Sequence, residues 1–302
     1  MQKENLHVNV GDLHLRNPTL LAAGLMGLTG ASLKRVWNSG AGGVITKSMS
    51  KEAREGYLGP RVVETPCGLI NSMGLPNPGI ESMLEEIKIA KDSGALVVGS
   101  IFGNEVKEFA ELTEKIDKVG AAAIELNLSC PHAEDLSTIG QNPKLTKKVI
   151  EACSGSEIPI WVKLPGNTHI SNLVGVTKSA EKAGADAIVL TNTLPAMSID
   201  VTSERPILGH GVGGLSGPAI KPIGLRLVYE VYEKIDIPIV GAGGIESGKD
   251  MIEYILAGAS AVEIGTGMME RNLDIFKKVC EEASTFLDGR EVDDLVGSAH
   301  KN

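Results

Sequence analysis

Aromatic side chains are scarce in this chain: Phe, Tyr and Trp make up 3% of its 302 residues. A nucleic-acid stacking platform needs exposed aromatics, so that class is disfavoured. Positive charge is also in deficit, with 29 Lys and Arg against 38 Asp and Glu, whereas a binder of phosphate backbones carries a basic face. Four cysteines, Cys67, Cys130, Cys153 and Cys280, lie far apart without a CxxC pair. That spacing argues against a disulfide framework or a structural zinc site and for free thiols in a reducing compartment. No apolar stretch approaches the roughly 20 residues that cross a bilayer. The N-terminal MQKENLHVNV lacks the basic start and apolar run of a signal peptide. A cytoplasmic protein is the expectation.

Glycine, by contrast, is abundant at 36 residues, within a composition that is 42% hydrophobic. From residue 19 onward, short apolar runs alternate with amphipathic stretches. The strand candidates are Thr19–Ala23, Gly43–Thr46, Leu96–Ile101, Ala122–Leu128, Ile160–Leu164, Ala187–Leu190, Pro238–Gly241 and Ala261–Gly265. They are apolar on both faces, as in a parallel sheet covered by helices. Helical patterns cover Pro78–Ser93, Glu105–Val119, Pro143–Ala152, Asn172–Ala183, Pro218–Lys234 and Lys249–Ala257, and Gly94, Gly120, Gly184 and Gly258 carry the helix-stop signature. Eight such units favour a closed barrel over a doubly wound sheet. The expected fold class is α/β, a (β/α)8 TIM barrel forming one domain over residues 1–302. A short N-terminal hairpin precedes it, and long rim loops follow strands 2 and 6. Those loops, Lys47–Pro76 and Leu194–Gly217, leave the C-terminal strand ends where active sites of this fold are built, and read as lids or binding loops.

Chemistry-bearing residues gather at the same rim. In ELNLSCPHAE, a strand ends at Asn127-Leu128-Ser129-Cys130 before Pro131 turns the chain away. Cys130 is either a packing residue or a reactive thiol, and its place at the rim weights the second reading. Lys47 and Lys163 terminate apolar strands, so their ammonium groups reach the rim; snorkelling to the surface is the plainer alternative. Gly241, Gly243, Gly244, Gly265, Thr266 and Gly267 cluster on the last two strand ends, a region that commonly cradles phosphate in barrels. Asn71, Asn77, Asn127 and Asn192 offer paired donors and acceptors suited to a cyclic amide or imide, or serve as ordinary turn residues. None of the six histidines pairs at metal-ligand spacing, so no metal is expected.

Taken together and in order, NSMGLPNPG (71–79), ELNLSCP (125–131), TNTL (191–194) and GGLSGPAIKP (213–222) resemble the dihydroorotate dehydrogenase family. Within it the chain is similar to the NAD-linked class 1B catalytic subunits. The resemblance implies FMN held by Ala23, Lys47, Ser48, Ser100, Asn127, Lys163, Thr191, Gly217, Gly243, Gly244, Gly265 and Thr266. It implies dihydroorotate held by Lys47, Asn71, Ser72, Met73, Gly74, Leu75, Asn127, Asn192 and Thr193. Cys130 matches the base that takes the C5 proton while hydride leaves C6, in a step of pyrimidine (UMP) biosynthesis. His132 stands where relatives commonly have Asn. The resemblance further implies an electron-transfer partner subunit carrying FAD and an iron–sulfur cluster, in a heterotetramer of two copies of each, with NAD as acceptor. Two other readings share some of these features: a dihydropyrimidine dehydrogenase-type flavoenzyme, and a flavin-free phosphate-binding barrel acting as lyase or isomerase.

Overall fold

A computed structural model describes residues 6–128 and 139–301. The chain opens with an antiparallel hairpin, β1 (Val8–Val10) and β2 (Leu13–Leu15). The first barrel strands are β3 (Thr19–Leu21) and β4 (Gly43–Ile45), joined through α1 (Gly30–Asn38). An excursion then carries β5 (Val62–Thr65) and β6 (Gly68–Asn71) before α2 (Ile80–Asp92) returns to the barrel. Regular alternation follows: β7 (Val97–Ile101), α3 (Val106–Val119), β8 (Ala123–Asn127), α4 (Pro143–Cys153), β9 (Ile160–Lys163), α5 (Ile170–Lys182) and β10 (Ala187–Leu190). A second excursion holds β11 (Leu194–Met197), β12 (Ile199–Asp200), β13 (Arg205–Pro206) and β14 (Val212–Ser216). The chain finishes with α6 (Lys221–Tyr232), β15 (Ile239–Ala242), α7 (Gly248–Ala257), β16 (Ala259–Ile264), α8 (Gly267–Arg271) and α9 (Ile275–Leu287).

Strands β3, β4, β7, β8, β9, β10, β15 and β16 pair in parallel and close on themselves. They coincide with the eight runs expected from the sequence, because a residue run that is apolar on both faces needs cover on both. Trp161 and Phe102 are fully buried within this core. The hairpin serves the far end: Val8, Val10 and Leu15 are buried, β1 packs on β16, and a Cβ on Gly11 would approach Asp186 at the start of β10. Helix boundaries follow local chemistry. Asn142 accepts from the Lys144 and Leu145 amides ahead of α4, with Pro143 at its first turn. Gly120 and Gly258 close α3 and α7 in the left-handed conformation. Among the described residues no helix is long and apolar enough to cross a membrane.

The two long connections differ from the expectation. They are not separate lids: β11, β14, β6 and β5 form one four-stranded antiparallel sheet over the rim. Glycine hid this, since it is depleted from strands and Val212–Ser216 reads as a Gly-rich loop. The sheet needs it, however. A Cβ at Gly213 would lie 2.5 Å from the Asn71 carbonyl oxygen, and one at Gly214 would lie 2.0 Å from Thr193 Oγ1. Helix α1 also escaped the sequence reading. Its capping box uses Thr29 with Ser32, not the Glu or Gln that marks the motif in sequence.

Candidate active site

The barrel and the rim sheet enclose a cavity of about 330 Å³ at the C-terminal strand ends, the scale of a small-ligand site. Each barrel strand brings what its last residues carry. Strand β3 leads into Ala22 and Ala23, and the Ala22 amide donates to the Ile264 carbonyl at 2.9 Å. From β4 come Lys47 and Ser48, from β8 Asn127, from β9 Lys163, and from β10 Thr191, Asn192 and Thr193. The glycines follow β15 and β16: Gly243, Gly244, Gly265 and Gly267, with Thr266 among them. The rim sheet closes the other side with Leu69, Asn71, Ser216 and Gly217, while Met73, Gly74 and Leu75 follow β6.

All the residues that the resemblance assigns to a cofactor or substrate line this cavity except Ser100 and Ser72. Of the other rim candidates, Gly241 lies within β15 and Asn77 accepts from the Ser50 and Gly79 amides, and neither is part of the lining. Ser100 is fully buried below it, donating to Glu125 Oε1 at 2.8 Å. Ser72 is also fully buried; its amide donates to the Arg61 carbonyl and its hydroxyl has no hydrogen-bond partner among the described residues. Cys130, expected as the base, lies outside the described residues, as do Ser129, Pro131 and His132.

The polar groups interlock. Asn192 Nδ2 donates to Asn127 Oδ1 at 3.4 Å, and Asn127 Nδ2 donates to Ser48 Oγ at 3.0 Å. Lys47 Nζ donates to the Gly24 carbonyl at 3.2 Å. Asn71 Nδ2 donates to the Gly214 carbonyl at 3.3 Å across the rim sheet, and Thr266 Oγ1 donates to Ser216 Oγ at 2.7 Å, tying that sheet to the end of β16. On the floor Lys163 Nζ donates to Glu263 Oε2 and lies 3.5 Å from Glu125 Oε2. Burial works against the Lys163 ammonium, but the two carboxylates outweigh it and hold its pKa above the ordinary value. Burial pushes the Glu263 carboxyl well above the usual carboxylate range; the Glu125 charge adds to the rise and Lys163 opposes it.

A flavin mononucleotide fits these residues. Gly217, Gly243 and Gly244 adopt φ of 91°, 121° and 69°, where L side chains are strained. A Cβ at Gly244 would lie 2.7 Å from Lys221 Cβ, and one at Gly217 would lie 2.8 Å from Gly68 Cα. Only bare backbone can occupy these turns, so main-chain N–H groups can approach a phosphate closely. Ala22, Ala23, Leu69 and Ile220 add apolar wall for a flat ring.

Residues 5–287 match the family model for dihydroorotate dehydrogenase. The chain belongs to that family. It is 44% identical to a Methanocaldococcus jannaschii protein named dihydroorotate dehydrogenase B (NAD(+)), catalytic subunit, over 98% of each chain. A Pyrococcus horikoshii protein of the same name is 44% identical over 100% of each. DHODH from Eimeria tenella, solved in complex with ferulenol, superposes with a TM-score of 0.87 over 99% of this chain and 89% of its own; at 23% identity it speaks for the fold.

In this dihydroorotate dehydrogenase family member, sequence reasoning passed over Glu125 and Glu263. Both sit mid-strand in apolar runs, AIELN and ASAVEI. That was the available signal, since a carboxylate in a strand buried on both faces must face a partner inside the barrel.

Proposed function

We propose that this chain is the catalytic subunit of an NAD-linked dihydroorotate dehydrogenase, oxidising dihydroorotate to orotate with FMN in pyrimidine biosynthesis. The observation that carries this reading is the convergence, in one cavity, of three amides (Asn71, Asn127 and Asn192) with Lys47, Lys163 and a bare-backbone glycine cradle. Bound FMN would supply the hydride acceptor for C6 of the substrate. The glycines Gly217, Gly243, Gly244 and Gly265, with Thr266, would hold its phosphate, and Lys163 would face its ring from the floor. Lys47 would bind the substrate carboxylate, and the amides would pair with the ring's own amide and imide groups. Met73 and Leu75 would keep water from the ring.

Cys130 stands three positions after Asn127 in sequence, and Asn127 ends β8 and lines the cavity. There it would remove the proton from C5, which is acidified by the adjacent carbonyl. A thiolate serves this step well once its pKa falls below the free value of about 8.5. Electrons would leave through a second subunit carrying FAD and an iron–sulfur cluster, two copies of each chain forming the assembly.

Anaerobic mixing of the purified, FMN-loaded chain with dihydroorotate tests the reading. Bleaching of the flavin with release of orotate is the expected result. Bleaching by dihydrouracil but not by dihydroorotate would move the chain to the dihydropyrimidine dehydrogenase type, and a folded chain that takes up no flavin would overturn the assignment.

A further inference from the structure

Among the described residues the buried charged side chains are Lys47, Glu125, Lys163 and Glu263. Lys47 stands at the rim against Gly24. The other three form a closed group inside the barrel, one ammonium facing two carboxylates. Ionised together they carry a net charge of −1 with both carboxylate side chains fully buried, and an uncompensated charge in such a place is removed by taking up a proton. The hydrogen bonding points the same way. Among the described residues neither Glu125 Oε2, which lies 3.5 Å from Lys163 Nζ, nor Glu263 Oε1 accepts a hydrogen bond, although both atoms are buried. A proton on either would cancel the excess charge and supply the missing donor. Glu263 meets Glu125 from β8 and Lys163 from β9, and among the described residues these are the charged groups that act on it. Among the described residues, the other buried polar side chains on or just after the barrel strands, Thr19, Thr46, Ser48, Ser100, Asn127 and Thr191, are neutral.

This group also anchors the polar chain of the cavity. Ser100 gives its single hydroxyl proton to Glu125 Oε1, so its oxygen must accept from Ser48 at 2.9 Å. Ser48 in turn accepts from Asn127, and Asn127 from Asn192. The carboxylate end therefore fixes the donor direction of every member up to the amides.

We propose that Glu263 is a positioning residue for the flavin: at the cavity floor, which it lines together with Lys163, it holds one proton shared with Glu125, so that Lys163 faces the cavity from an electrically neutral group. The inference rests on the flavin reading above. Loss of the shared proton leaves an extra negative charge under an electron-rich ring and weakens flavin binding as pH rises. Glu263→Gln keeps an acceptor for Lys163 and the side-chain volume but cannot ionise.

The test measures FMN and riboflavin dissociation constants by fluorescence between pH 7 and 9, on the flavin-stripped full chain. Both proteins, with and without Glu263→Gln, carry Cys130→Ala so that the thiol does not titrate; riboflavin removes the phosphate from consideration. With Glu263 present, both constants should rise roughly fivefold or more across this range, while Glu263→Gln should hold them within about twofold. Equal pH profiles in the two proteins would overturn the proposal. A second readout needs no flavin. The folded chain holds a proton that an unfolded carboxyl, with a pKa near 4.3, has released. Thermal stability should thus decline as pH rises from about 5 towards the raised folded value, and Glu263→Gln should flatten that decline. An unchanged slope would refute the shared proton itself. A folded wild-type chain that binds neither flavin would refute the flavin reading and with it the positioning role, while the thermal slope still decides the proton.

Discussion

Replacing Lys163 by Met separates an ionic role from mere packing. The Lys163 side chain is 6% exposed and both carboxylate partners are fully buried. At 3.5 Å and an effective dielectric of about 20, its contact with Glu125 alone is worth about 5 kcal/mol, before the opposing loss of hydration. Removing one member of such a buried group leaves charge without compensation, which typically destabilises by about 3–5 kcal/mol. The carboxyl pair can escape by binding a further proton. That costs about 1.4 kcal/mol for each pH unit between the solution and the unfolded carboxyl pKa near 4.3, so about 4 kcal/mol at pH 7.5 and about 1 kcal/mol at pH 5. The folded variant then binds more protons than the unfolded chain, and its stability falls as pH rises. The expected loss is therefore about 3–5 kcal/mol at pH 7.5 but only about 1–2 kcal/mol at pH 5. Urea unfolding of the flavin-free chain, followed through tryptophan fluorescence with Trp161 in the barrel core, measures both. A loss of equal size at the two pH values would show that Lys163 matters only as volume. A loss under about 1 kcal/mol at pH 7.5 would refute the buried ion group altogether.

Cys130→Ser should retain FMN yet slow dihydroorotate oxidation by orders of magnitude, since a serine hydroxyl is a far weaker base; near-normal single-turnover flavin reduction at neutral pH would remove Cys130 from that role. Asn71→Ala and Asn192→Ala should each weaken orotate binding by roughly tenfold or more, as a buried ring polar group loses its partner at about 1–3 kcal/mol. Calorimetric titration with orotate checks this, and unchanged dissociation constants would exclude both amides from the substrate site. Gly214→Ala places a methyl 2.0 Å from Thr193 Oγ1, so it should displace Thr193, weaken orotate binding and lower stability by about 1–3 kcal/mol while FMN stays bound. Wild-type orotate affinity in that variant would count against Thr193 as a contact.

The barrel was legible because its signal is redundant. Every core strand is an apolar run, each preceded by a helix stop or a Pro, so an error of one or two residues at an edge leaves the topology intact. The rim residues were legible for a related reason: Lys47, Asn127 and Lys163 are polar residues that end apolar strands. Glu125 and Glu263 are polar residues inside such strands, and their partners are far apart in the chain, Lys163 and Glu263 being separated by 100 positions. Nothing local in sequence says which strand faces which across a closed barrel, so the group emerges only when the barrel closes. The rim sheet was hidden differently. Its strands pair across 143 residues at Asn71 and Gly214, and its most crowded positions are glycines, which sequence reasoning assigns to turns.

That sheet changes how the cavity is to be understood. Two separate lids would each place their amides independently, and ligand binding would have to order both. Here Asn71 and Gly214 are register partners, and Leu215 pairs with both Ile70 and Leu194. Side chains alternate faces along a strand, so a slip of one residue between β6 and β14 would turn Asn71 away from the cavity. The tight contact of Gly214 with Thr193, and of Gly213 with the Asn71 carbonyl, opposes such a slip, because any residue with a Cβ would force the strands apart there. Thr266 and Ser216 then lock the sheet to the strand end that carries the glycine cradle. One antiparallel register thus sets the distance between Asn71, on the side proposed for the substrate, and the glycine turns proposed to hold the phosphate, before any ligand arrives.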